Sequence, residues 1–178
     1  MSFTNLSLDP DDLPALEHAP LTPVSRRLAP CQALQRAGRW VFLVMLTGLF
    51  PVQHEELAQW QSWAAAGVAG LGVVAIALGW VEARRRAYGL REHDVLYRRG
   101  WLVQRTQVLP LARLQHVETL SNPVERAFGL VRLACFTAGG RGADLMLEGL
   151  SAARAEAVKQ HLLARLEGTT RQPESLTP

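Results

Sequence analysis

Cysteine is scarce in this sequence: Cys31 and Cys135 are the only two in 178 residues, and they lie far apart. They supply neither a disulfide framework nor a metal-binding spacing, which fits a reducing compartment. Histidines stand singly at 18, 54, 93, 116 and 161, without H-E-x-x-H or a cluster of carboxylates. Ser121 and Ser151 occupy positions where helix caps belong and lie outside any G-x-S-x-G. Gly139, Gly140 and Gly142 lack the G-K-[ST] of a phosphate loop and read as a hairpin loop. His116 and Glu118 would share a strand face, which a polar surface explains without a metal. These absences remove the signatures of hydrolase, zinc and nucleotide sites. No catalytic residue, metal ligand, cofactor or small-molecule substrate is assigned, and the chain is expected not to be an enzyme.

Charge is the second thing in short supply, and its absence is local. Residues 40–81 carry only His54, Glu55 and Glu56 as ionisable groups. From Leu57 to Val81 there are 25 residues without a formal charge, enough to cross a hydrocarbon core about 30 Å thick. The run before it, WVFLVMLTGLFPVQ, is 14 residues long and includes Pro51, so it spans only if Arg36 and Arg39 reach back to the headgroups. Arginines 26, 27, 36 and 39 precede the first run, arginines 84, 85 and 86 follow the second, and the connector QHEELAQWQS has none. By the positive-inside rule both termini are then cytoplasmic and the connector is outside, in a multi-pass inner-membrane protein. Trp40 and Trp80 would mark the cytoplasmic interface, with Arg84, Arg85 and Arg86 as a leaflet anchor. Ala66 and Gly70, and Ala75 and Gly79, offer small faces for packing on the first span, with Gly48 as the facing notch, or for pairing with a second copy.

The first thirty residues hold five prolines and four acids and lack the apolar core of a cleavable leader. Residues 1–33 are therefore expected to be a disordered tail, residues 34–83 a transmembrane hairpin, residues 84–168 a cytoplasmic domain, and residues 169–178 a second tail.

In the cytoplasmic part, DVLYRRGWLVQRTQVLP reads as two strands about a turn at Arg99 and Gly100, and LQHVETLS as another strand. Asn122 and Pro123 look like the cap and first position of a single helical turn that Gly129 closes. LVRLACFTAGG and ADLMLEGL form a further hairpin. Ser151 caps a final helix whose Ala155, Val158, Leu162 and Leu166 make one apolar stripe and which Gly168 stops. The predicted class is α+β: an N-terminal two-helix transmembrane hairpin followed by a bent antiparallel sheet under a C-terminal helix.

Three motifs carry a family resemblance: the G-x-L of Gly100–Leu102, the P-L-x-R-L-Q-x-V of Pro110–Val117, and the N-P-x-E-R-x-F-G-L of Asn122–Leu130. With the helical hairpin before them, they make residues 35–167 similar to the bacterial pleckstrin-homology-like membrane proteins, the YdbS-like family. The resemblance implies a PH-like bent sheet of about seven strands capped by the last helix, on the cytoplasmic side. It implies no activity, because the fold hosts many functions.

Residues 84–167 hold fourteen Arg or Lys against eight Asp or Glu. With few aromatics beside them, the nearest polyanion is the anionic leaflet rather than nucleic acid. The expectation is a membrane-anchored interaction module whose partners are the bilayer and a membrane protein or another copy of itself. The alternative is a sensor of anionic lipid headgroups using Arg98, Arg99 and Arg105, and an unrecognised membrane enzyme is the minor one.

Overall fold

The computed structural model describes residues 21–49, 55–138 and 142–170. Strand β1 (Thr22–Pro23) leads into helix α1 (Leu28–Gly48), which is followed by α2 (Glu55–Arg84). Then come β2 (Ala87–Leu90), β3 (Asp94–Arg99), β4 (Arg105–Pro110), a 3-10 turn at Leu111–Arg113, and β5 (Leu114–Leu120). The chain closes with α3 (Pro123–Ala127), β6 (Leu130–Thr137), β7 (Leu145–Ser151) and α4 (Ala152–Thr170).

The strands form two antiparallel sheets, β1-β2-β3-β4 and β5-β6-β7, rather than one bent sheet. Between them, Val95, Tyr97 and Leu109 of the first sheet join Leu133, Cys135, Leu147 and Leu150 of the second in a single apolar core. Helix α4 lies on the second sheet and on the 3-10 turn, burying Ala155, Val158 and Leu162 at the expected helical spacing, with Leu166 packed at the edge. Ser151 Oγ accepts from the backbone N–H of Arg154 at 3.4 Å, as an N-cap should. Gly168 does not stop this helix, which runs on to Thr170; the rest of the expected second tail, residues 171–178, lies outside the described residues.

The expected N-terminal tail is corrected from Leu21 onward, while residues 1–20 lie outside the described residues. Thr22 and Pro23 pair with Tyr88 and Ala87, and Val24, Leu28, Ala29 and Cys31 are buried in the domain core. The prolines permit this because of where they fall. Pro23 is on an edge strand, and Pro30 is in the first turn of α1, where a backbone N–H has no intrahelical acceptor to lose. The helix consequently begins at Leu28, six residues before the predicted hairpin.

Helices α1 and α2 pack on one another, and α2 has its extensive contacts with α1 rather than with any strand. Small residues do allow the approach, at Gly79 as predicted and also at Gly72, which the spacing does not single out. A Cβ at Gly72 would meet the Trp40 ring at 2.9 Å, and one at Gly79 would overlap the Arg36 guanidinium. Gly48 and Gly70 have nothing within 4 Å of an added Cβ, so the predicted notch is not the one used. Among the described residues one helix, over Ala58–Arg84, is long and apolar enough to cross a membrane. Helix α1 carries Arg36 and Arg39 along its length, so the two-span hairpin is not established by length and composition.

Leu162 has no solvent exposure. Leu162→Ala should destabilise the chain by about 2–5 kcal/mol, read from urea or thermal melting in detergent. A change within the noise would mean that α4 is not part of the cooperative core.

Burial pushes the Cys135 thiol up from its ordinary value of 9.0 to about 11. The unfolded chain therefore ionises first, and stability contributed by the protonated thiol is present below pH 9 and lost as pH rises towards 11. The check is the urea midpoint across that interval, in which Cys135→Val should show a shallower decline than the parent chain.

Candidate functional site

The place where α2 meets the domain gathers ionisable groups from distant parts of the chain. Glu82 is four residues before Arg86, a spacing that puts neighbours on one helical face. Arg86 lies just past the end of α2, and its Nε and Nη2 donate to the two Glu82 carboxylate oxygens at 2.8 Å each. Its Nη1 donates to Glu148 of β7. From the other side, Arg36 of α1 crosses over Gly79 to within 4.0 Å of the same Glu82 carboxylate. One arginine thus joins α2 to β7, and Glu82 extends the link to α1.

The Arg86 side chain is only 11% exposed. Desolvation opposes its charge, but the hydrogen bonds to Glu82 and the charges of Glu82 and Glu148 outweigh it and raise its pKa above the ordinary arginine value. Tyr97 of β3 is buried in the same place; burial pushes its phenol pKa up, against the opposing pull of Arg86.

The arginine triplet therefore splits. Arg84 lies over the Trp80 ring, 5.6 Å from its centroid, and both side chains are exposed. Arg85 is exposed, with its backbone N–H bonded to the Glu82 carbonyl. Arg86 turns inward and is occupied by carboxylates, so it does not stand beside the other two as an outward anchor. Trp40 is half-buried against Gly72, a contact between the helices. Arg98 pairs in register with Ala87, and Arg99 stands directly opposite Arg105. The pairing brings these three to the end of the first sheet where α2 delivers the chain.

A second junction holds α1 to the N-P-x-E-R-x-F-G-L segment. Asn122 caps α3 by accepting from the Glu125 backbone N–H at 2.8 Å, while Glu125 accepts from the Asn122 N–H at 3.0 Å. Gly129 follows in the left-handed conformation, with φ of 67°, as the sequence predicts. Buried Glu125 is also paired with Arg132 at 3.1 Å. Gln35 of α1 donates to Asn122 Oδ1 at 3.3 Å, and Arg27 reaches the Phe128 carbonyl at 3.5 Å. The cap motif thus doubles as a seat for the first helix.

His116 and Glu118 lie on one face as predicted, 3.6 Å apart and half-exposed, but His116 is stacked on Phe136 with ring centroids at 4.3 Å. Among the described residues no three His, Cys, Asp or Glu side chains are grouped so as to hold a metal. Sequence reasoning missed Glu82, Glu148, Gln35 and Arg36 as partners. Of these only Glu82, at i,i+4 from Arg86, carries a local signal.

Two antiparallel sheets, strands β1 to β4 and β5 to β7, closed by a C-terminal helix define a PH-like domain, here tied by ion pairs to an antiparallel pair of helices. The sequence profile of the bacterial PH domain matches residues 38–166, well over half of the chain, and the chain belongs to that family. No curated protein and no solved structure matches the chain significantly. The matched region begins inside α1, so β1 and the buried first turn of α1 lie before it.

Replacing Arg86 with methionine would leave Glu82 and Glu148 facing each other without the cation between them. Arg86→Met should lower stability by about 2 kcal/mol, discounted from the cost of breaking a fully buried pair because both carboxylates are partly solvated. Thermal melting measures it, and Arg86→Met combined with Glu148→Gln should recover part of the loss.

Proposed function

We propose that this protein is a membrane-anchored PH-like interaction module of the bacterial inner membrane, without catalysis. The observation that carries the reading is the outward apolar surface of the helix pair. Phe42, Met45, Trp60, Trp63, Leu71 and Val73 are all exposed, in helices whose packing is satisfied by each other. An exposed apolar surface of this extent is stable in hydrocarbon and a liability in water. Helix α2 is the span, and α1 lies beside it with exposed Arg39 reaching towards the headgroups while Arg36 turns to Glu82. Both termini and the PH-like domain are cytoplasmic, on the side marked by the exposed Arg84 and Arg85. The domain binds a neighbouring membrane protein or a second copy of the chain.

A second reading, an anionic headgroup sensor, is favoured by the register that brings Arg98, Arg99 and Arg105 to the end of the sheet where α2 arrives. Native mass spectrometry of the chain released from lipid nanodiscs separates the two. A stoichiometric protein partner or defined oligomer supports the interaction module, and selectively retained anionic lipid supports the sensor.

The topology is read by labelling intact cells with a membrane-impermeant thiol reagent. Gln59→Cys, exposed at the outer end of α2, should react, and Glu92→Cys, exposed in the domain, should react only after lysis. The reverse pattern would invert the orientation, and equal labelling of both in intact cells would remove the span.

A further inference from the structure

The loop between β3 and β4 is an exposed apolar tip with a basic collar. Gly100 has φ of 99°, and a Cβ there would lie 2.0 Å from the Val103 carbonyl oxygen, so the turn closes tightly on a residue without a side chain. The turn holds Trp101, Leu102 and Val103 outward at 39%, 79% and 68% exposure. Three consecutive apolar side chains in a solvated loop contribute nothing to the core and expose surface that water disfavours. At the root of the loop Arg99 faces Arg105 across the strands, a like-charge pair that costs stability unless something negative lies against it. Arg98, half-buried, is the next residue down the strand.

Strand register gives the tip its place. Chain leaving α2 enters the first sheet at Ala87, and Ala87 pairs with Arg98. Since β2 and β3 are antiparallel, Arg99 and the loop beyond it extend past the start of β2, at the end of the sheet nearest Arg84 and Arg85. The opposite end of the same sheet carries Glu92 and His93. Apolar tip, arginine collar and the end of the long apolar helix thus share one end of the domain.

We propose that the Trp101–Val103 tip inserts into the same anionic leaflet that α2 enters, with Arg99 and Arg105 on the headgroups, so that the domain is docked on the bilayer at a second point. This rests on the membrane-anchored reading above. A tryptophan beside two aliphatic residues and flanked by arginines matches the chemistry of the interface, where an apolar part is buried and cations meet lipid phosphates. Docking at two points would fix the orientation of the domain and leave its remaining faces for the partner. The contact is with bilayer as a phase and requires no particular headgroup.

The test uses the full chain in vesicles of phosphatidylethanolamine with phosphatidylglycerol, carrying a nitroxide at Leu102→Cys, at Val74→Cys in the exposed face of α2, or at Glu92→Cys. Native Cys31 and Cys135 are buried and leave the label specific. Collision with oxygen, which partitions into lipid, is compared with collision with a water-soluble nickel chelate. Oxygen should dominate at 102 and at 74, and nickel at 92. Nickel dominance at 102 with oxygen dominance at 74 overturns the tip alone, whereas nickel dominance at both overturns the span on which it rests. Shielding of 102 from both reagents means that protein covers the tip, a second copy in this purified system, and also overturns the proposal. Arg99→Gln with Arg105→Gln should shift the 102 label towards nickel in the anionic vesicles. The same pair of substitutions should have no effect in phosphatidylcholine alone, and an unchanged signal in both would remove the arginine collar from the proposal.

Discussion

A single arginine decides how the helices meet the sheets. Arg86 is taken largely out of water, which on its own would be costly, and it is retained because Glu82 and Glu148 together satisfy its donors. Those carboxylates come from α2 and β7, and the Tyr97 hydroxyl buried beside them comes from β3, so the charge sits where the two sheets and the long helix converge. Arg36 brings α1 to the same carboxylate, along a path that only a glycine at position 79 leaves open. The junction between the helix pair and the domain is therefore a set of directed, charge-assisted contacts. Such contacts fix angle as well as distance, because the planar guanidinium donates to its partners in few orientations.

The N-terminal segment makes the joint more rigid. Val24, which precedes both helices, and Leu28, Ala29 and Cys31 in the first turn of α1 belong to the domain core, and Ser25 donates its backbone N–H to the Gly149 carbonyl at 2.8 Å. Chain order and spatial order are interleaved: the domain is begun, left for two helices, and then completed. A fragment starting at Ala87 would lack part of its own core and the cation of its central ion pair. Motion of the helix pair relative to the domain would have to break the contacts of α1 at both Gly149 and Asn122.

Most local signals in the sequence held, Gly168 as the stop of α4 being an exception, and remote ones were not legible. Asn122, Pro123 and Gly129 specify a capped turn within eight residues, and the period of Ala155, Val158 and Leu162 specifies a buried helical stripe, because each depends on neighbours along the chain. Pro23 and Pro30 misled because a proline breaks a helix only in its interior, and the sequence does not mark where α1 begins. Ala66 and Gly70 satisfy the small-residue spacing as well as Ala75 and Gly79 do, yet of the two glycines only Gly79 is in contact, and Gly72, with Val68 and Ile76 at that spacing, carries no such signal; spacing identifies a face and leaves the contact to the partner helix. Arg84, Arg85 and Arg86 look equivalent in sequence. What separates them is Glu148, 62 residues further on, brought within reach only when β7 is in place.

Separation within the triplet has an electrostatic consequence. Glu82 and Glu148 are balanced by the inward-facing Arg86 together with Arg36, so they offset the outward-facing Arg84 and Arg85 and the arginines of the β3–β4 hairpin less than unpaired carboxylates would. The fold thus sorts charge: acidic groups at the joint are used inside it, and basic groups are left on the outside of the same end. A surface of one sign beside an apolar helix attracts an anionic surface at a range set by ionic strength and holds it only if short-range contacts follow. Internal pairing at Arg86 therefore does two jobs with one residue. It sets the direction of the helix, and with Arg36 it keeps Glu82 and Glu148 from opposing the positive field at that end in full.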